Sequence, residues 1–318
     1  HRLWVWLGAS LLLTTLAYSG LSILHQAWGA RLGGDDVQRS RVVAWREGFG
    51  LLGVICASMS PLVLGLSGTA AILIVACGGA WLAWRWLARQ LKLTASADAV
   101  SAVGSGASLW QPWIRADFRR LLAVFMLNGI ASAVPATLIL FFVQDRLQAP
   151  PSMEPVFLGS YFLCAALALP VWLRVVNRLG LARTWALGMA LALGVFAFAA
   201  QLQAGDSTAF VWVCALSGVA MGTDLALPAA LLNGQIQAHG ERGRAEGAYF
   251  GWWAFATKLN LALAAGLALP LLGWWGYTPG AREPQALQTL TWAYCLLPCA
   301  LKSVALLLLY LFNIRRTS

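Results

Sequence analysis

Apolar runs of about 20 residues, the length of a helix that crosses the hydrocarbon core of a bilayer, follow one another along the chain with short polar or glycine-bearing stretches between them. A segment surrounded by lipid finds no partner for a bare backbone amide, so each run must close its hydrogen bonds on itself as a helix. The pattern predicts nine spans, near residues 3–24, 47–66, 69–87, 119–143, 156–174, 185–203, 209–232, 248–272 and 288–312. The second and third are joined by a short linker around Gly65, Ser67 and Gly68. The expected fold class is therefore all-α, a polytopic membrane protein.

Charge gives this pattern a direction. The chain has 22 Lys and Arg. All except Arg2, Arg146, Arg282, Lys258 and Lys302 lie on one alternate set of loops and on the C-terminal tail with Arg315 and Arg316. Basic residues near span ends favour the cytoplasmic face, so this set is expected inside, together with the C-terminus, in a cell (inner) membrane. The net charge of +10 follows from loops that face an anionic leaflet and calls for no nucleic acid. Nine spans with a cytoplasmic C-terminus put the N-terminus outside, and the chain opens on His1 and Arg2 without a charged n-region or cleavage site. An odd number of upstream spans is expected to precede it.

The longest inside connection, from about 88 to 118, holds Thr94 to Asp98 and the small residues of Ser101 to Ser108. It reads as a flexible linker between bundles. The domain reading is 1–90 as the remainder of an N-terminal bundle with three helices, 91–117 as the central linker, and 118–318 as a six-helix C-terminal bundle. Two equal bundles would place three helices upstream. A short internal echo fits a six-plus-six plan. Arg39 and Arg41 precede Glu47-Gly48 in one loop, and Arg242 and Arg244 precede Glu246-Gly247 in a loop six spans later.

Ionisable side chains at membrane depth are costly and usually face a bundle interior or an aqueous cavity. Lys258, in FATKLN, lies about ten residues into its span, too deep to reach the cytoplasmic face easily. Asp224, in GTDLALP, stands four residues before Pro228. Proline has no amide to bond the carbonyl four back, so the helix is expected to loosen beside this carboxylate, as in many transporter sites. Each reading has a structural alternative: a buried lysine paired with an acid, or a carboxylate that ties the kink to a neighbouring helix. An Asp224–Lys258 pair would satisfy both. Lys302, in LLPCALKSV, carries nothing that separates it from a structural role. Asp35, Asp36, Arg39, Arg41 and Glu47, with Glu241, Arg242, Arg244 and Glu246, are either a cytoplasmic gate of ion pairs between the bundles or solvated topogenic charge. All six Cys fall within spans and no His or carboxylate completes a metal set, so neither a disulfide nor a metal site is expected. Trp252 and Trp253 enter a span, where one could stack on a sugar face, but most of the 17 Trp sit near interfaces.

Three segments carry a resemblance: YSGLSILHQAWGARLGGDDVQRSRVVAWREGFGLLG, GVAMGTDLALPAALLNGQI and EGAYFGWWAFATKLNLALAAGLALPLLGWWGYTPG. Together they resemble the glycoside, pentoside and hexuronide cation symporters, the melibiose permease group of the major facilitator superfamily. The resemblance implies helices four to twelve of a twelve-helix transporter, with Lys258 near the cation and sugar sites and Arg46 close to a sugar-binding arginine. The alternative for Arg46 is one more boundary arginine. VVNRLGLART, with Asn177, Arg178, Gly180 and Arg183, resembles the superfamily's loop motif between helices eight and nine. The chain departs from the family at Ser22-Ile23-Leu24-His25, where Ile-Pro-Tyr or Ile-Pro-Phe with a preceding polar or acidic residue is usual. It also departs at Asn233-Gly234, where an acid is common after helix ten.

These readings predict no enzyme: catalytic residues none, cofactors none, metal none. No phosphate-binding G-x-x-x-x-G-K-[ST] occurs, and Asp145, Glu154, Asp206 and Glu283 stand singly on the outer loops. The expected function is secondary active transport of a small polar solute, sugar or glycoside by resemblance, with sodium or proton as coupling cation, by a monomer in the lipid bilayer. Arg46, Asp224 and Lys258 are the candidate pathway residues. A membrane-embedded lipid- or glycan-processing enzyme and a transport-incompetent sensor of carrier ancestry are the alternatives.

Overall fold

Each of the nine apolar runs folds as helix in the computed structural model, which describes residues 2–31, 35–90 and 108–315. The elements are α1 (Arg2–Arg31), α2 (Asp36–Gln90), the single turn α3 (Gln111–Ile114) and α4 (Ala116–Phe141), which a π-turn at Phe142–Arg146 extends. After them come α5 (Glu154–Leu179), α6 (Leu181–Ala199), α7 (Ser207–Ala238), α8 (Glu246–Trp274), α9 (Pro284–Thr291) and α10 (Leu297–Leu309). π-turns at Trp292–Leu296 and Tyr310–Ile314 make the last two one continuous span.

Among the described residues eight helices are long and apolar enough to cross a membrane, against nine expected. The difference lies in α2, a 55-residue element in which two helices meet at a kink: the run at 69–87 lies within the span Val63–Trp86, and the run at 47–66 is not among the eight. A straight helix of that length would measure about 80 Å, well beyond a hydrocarbon core of about 30 Å. The helical backbone breaks at one residue, Gly65, at φ 68° and ψ 179°. That is a left-handed conformation open to glycine because it has no Cβ. The expected linker is thus this single residue, and Ser67 and Gly68 are already helical. Most of the expected central linker, residues 91–107, lies outside the described residues.

The chain divides into two compact units, His1–Ala44 with Ser108–Ser318, and Trp45–Ala107. In the larger unit α7 packs on α5 and α6, α4 on α8 and α10, α6 on α10, and α1 on α8. Lipid gives no hydrophobic drive for helix association, so close backbone approach at small residues takes its place. A methyl group at Gly218 of α7 would meet the Tyr161 carbonyl oxygen of α5. One at Gly188 of α6 would meet the Thr223 side chain of α7, and one at Gly129 of α4 the Asn260 amide of α8. Large apolar side chains such as Trp6, Leu13 and Leu21 on α1 point outward, as a lipid-facing surface requires.

Within this unit the loops gather at two ends. At one end Arg39 donates to Gln237 Oε1 (2.8 Å), and Arg115 and Glu241 form an ion pair (2.7 Å). At the other, Tyr277 OH and the Gly280 amide donate to Asp145 Oδ2 at 2.5 and 2.9 Å. Arg146 Nε reaches the Leu202 carbonyl there (3.0 Å). An aromatic cluster underlies this second end, with Phe142 stacked on Tyr294 at 4.2 Å and Phe157 edge-on to Phe210 at 4.9 Å. Gly180, in the VVNRLGLART segment, makes the tight turn between α5 and α6 at φ 77°.

Candidate functional site

Four helices of the larger unit bring polar side chains together at mid-span. Lys302 of α10 is buried. Its ammonium donates to Asn128 Oδ1 of α4 at 2.7 Å, to Ser132 Oγ of α4 at 3.3 Å and to Asp224 Oδ2 of α7 at 3.0 Å. An ammonium has three N–H bonds, and each finds one oxygen. The other carboxylate oxygen, Asp224 Oδ1, accepts from the indole of fully buried Trp185 on α6 at 2.8 Å. Asp224 is thereby fixed from two sides in one orientation. Its side chain keeps 20% of its surface accessible, against 5% for Lys302. Pro228 lies inside α7, as expected, so no amide four residues on bonds the Asp224 carbonyl.

The expected Asp224–Lys258 pair does not form; the partner of Asp224 is Lys302. Lys258 is exposed on α8, where it donates to Ser19 Oγ of α1. Lys258 lies on α8 where that helix meets α1, and its ammonium is directed to Ser19 instead. Lys302, to which the sequence assigns no more than a structural role, is the residue that reading missed, although a depth signal was available. It lies 14 residues into the span 288–312, and Asp224 lies 15 into 209–232, two crossings earlier and so in the same direction.

Ser19 is one of four polar residues on a single face of α1. Thr15, Ser19, Ser22 and Gln26 follow the i, i+4, i+7, i+11 spacing. Ser19 donates to the Thr15 carbonyl, and Gln26 Nε2 donates to Ser22 Oγ at 3.0 Å. A polar face of α1 thus includes the contact with Lys258.

The expected gate residues make mostly local contacts. Asp35 caps the start of α2 by accepting from the Gln38 amide at 2.8 Å. Arg39 pairs with Asp36 and crosses to Gln237 of α7. Arg46 and Glu47 pair with each other at 2.7 Å in the smaller unit. Glu246 accepts from the Gly243 amide, while Arg242 and Arg244 are exposed. Arg41 is exposed. The strongest cluster at this end centres on Glu241, which accepts from Arg115 Nη2 at 2.7 Å, Tyr249 OH at 2.5 Å and Gln111 Nε2 at 3.3 Å. Burial pushes the Glu241 carboxyl up, but the hydrogen bonds from Tyr249, Arg115 and Gln111 outweigh it and hold the group below the ordinary range. Asp35, Asp36 and Arg39 also line a shallow groove with Val176, Asn177 and Gly180 at the α5–α6 turn.

Neither tryptophan offered as a sugar platform is free. Trp253 stacks on Phe125 at 3.9 Å, and Trp252 packs among Trp110, Trp113 and Phe255. Among the described residues no group of three or more His, Cys, Asp or Glu stands ready for a metal ion. Three of the acids that stand singly between spans serve local structure: Asp145 as above, Glu154 accepting from Gln144 Nε2 at 3.0 Å, and Asp206 accepting from the Gln203 amide at 2.8 Å. The family model described as MFS/sugar transport protein matches residues 2–316. No curated protein matches the chain.

Proposed function

The chain belongs to the MFS/sugar transport protein family, and we infer that this membrane transporter carries a sugar or glycoside in symport with a monovalent cation, by alternating exposure of a central site. The family is one of transporters, so the reading as a membrane-embedded enzyme falls away. Within the family we place the chain with the melibiose permease-like symporters, as a monomer of the inner membrane with its C-terminus in the cytoplasm. The segments 1–90 and 118–318, joined by 91–117, are the two halves whose relative tilt would expose the site to each face.

The observation that carries this reading is the bond from Lys258 to Ser19. A lysine at the centre of a span costs about 2.5–3.5 kcal/mol of insertion free energy, so it is kept where it has a task. Here it sits on a polar stripe of α1, where a hydroxyl-rich solute finds donors and acceptors within an apolar wall. Arg46, whose fork is engaged by Glu47, and Asp224 complete the proposed pathway set.

The test is uptake by the full-length protein in proteoliposomes, with labelled sugars and an imposed sodium or proton gradient. Gradient-dependent uptake is expected, and Lys258→Ala should reduce it at least about tenfold, the effect of losing one hydrogen bond from a charged group. Asp224→Ala should do the same while insertion stays intact. Absence of uptake for every sugar under either gradient, with binding retained, would favour the sensor. Normal uptake by both variants removes these residues from the pathway.

A further inference from the structure

We propose that Asn128 Oδ1, Ser132 Oγ and Asp224 Oδ2 form a monovalent-cation site inside the C-terminal bundle, and that Lys302 occupies it as a tethered cation. The three oxygens surround one ammonium nitrogen at 2.7, 3.3 and 3.0 Å. They supply one negative charge between them, which matches a single positive charge. Hard cations take oxygen ligands from carboxylates, amides and hydroxyls, and these are the three groups present. The set is pre-oriented without help from the lysine. Trp185 Nε1 holds Asp224 Oδ1 at 2.8 Å and so turns Oδ2 toward the centre. Asn128 is buried and Trp185 fully so, which anchors one side of the ring, while Ser132 is exposed on the other. A route for a small ion exists on the carboxylate side, since Asp224 is the accessible member of the pair.

Charge balance states the consequence. With the lysine in place the site is neutral and full. With the lysine removed, a carboxylate is left in the bundle with no cation, and a mobile ion of the right size stabilises the fold by binding there. Lys302 therefore makes the protein independent of sodium at this position. This inference deepens the cation-coupled reading of the transporter, on which any role in uptake rests, but the site itself is tested by binding alone.

The experiment is thermal unfolding of the purified full-length protein in detergent, in choline chloride and then in LiCl, NaCl, KCl or RbCl at equal ionic strength. The wild type should show no difference among the salts. Lys302→Met should unfold lower in choline and be raised by one of the metal ions in a saturable manner, by about 2–4 °C or more. Addition of Asp224→Asn to Lys302→Met should abolish that rise. A monodisperse Lys302→Met protein indifferent to all four ions shows that the oxygens form no cation site. A wild type raised by sodium, with the rise lost in Asp224→Asn, shows that the lysine does not fill it. If Lys302→Met does not fold, Asn128→Asp retains the lysine and adds a second negative charge to the same ring. That variant should gain an ion-specific rise in unfolding temperature, and its absence equally overturns the proposal.

Discussion

Asp224 and Lys302 are worth most to each other, so removing one partner does more harm than removing both. Truncation of one side of a buried pair leaves an uncompensated charge and costs about 3–5 kcal/mol, whereas replacing both sides together is often close to neutral. Asp224→Asn and Lys302→Met, each alone in choline chloride, should therefore lower the unfolding temperature by on the order of 10 °C. The double variant should lie well above the sum of the two losses, and a fully additive cycle would show that the 3.0 Å contact is not an energetic one. Glu241 gives a prediction of opposite kind, because it lies between spans and its carboxyl is held below its ordinary value. A carboxylate with a lowered folded pKa contributes stability above its unfolded value of about 4.3, and that contribution is lost as pH falls through the lower folded value. Glu241→Gln should thus be less stable than wild type from pH 6 to 8 by a constant margin. The margin should narrow below about pH 4.3, as read by unfolding temperature against pH.

At the scale of the helix, close packing rests on glycines, and at Gly218 the neighbour is backbone. Gly218→Ala directs its methyl into the Tyr161 carbonyl, an atom that cannot turn aside, so α5 and α7 must separate. Gly266→Ala in α8 meets nothing within 4 Å and gains the helix preference of alanine over glycine, about 1 kcal/mol. Unfolding of the two single variants should move in opposite directions, and equal shifts would show that the α5–α7 contact does not depend on that close approach. The same scale explains what the sequence reveals. Span existence is legible because a 20-residue apolar run has one outcome in lipid, whereas helix ends are not, since α1 runs on to Arg31 and α2 starts at Asp36, outside the apolar runs. Depth is legible too, since it is a residue count from the span end. Azimuth is not: helices apolar on nearly all sides carry no stripe that marks the inner face. That is why the sequence offers Lys258 as a partner for Asp224: it has suitable depth but belongs to a helix packed on α4 and α1. The join of two spans at Gly65 is legible because glycines interrupt the apolar run there, and only its length is not, since the break takes one residue.

For the whole molecule the basic loops and the hydrogen bonds divide the chain in the same way. Arg39, Arg115, Gln237 and Glu241 meet at one end of the larger unit, and Asp145, Arg146, Leu202 and Tyr277 at the other. The first end carries the loops rich in arginine. Each basic residue near an anionic leaflet is worth about 1 kcal/mol, so several of them acting together should decide which end faces the cytoplasm. In a background without the six native cysteines, Ser152→Cys and Thr278→Cys should react with a membrane-impermeant maleimide on intact cells. Gln38→Cys and Arg244→Cys should react only after the membrane is opened. All four positions are exposed, so reactivity reports side rather than burial. The reverse pattern would place the basic end outside. Alternating access would then run with the Glu241 cluster at the outer mouth, and a gradient imposed in the assumed direction would oppose uptake instead of driving it.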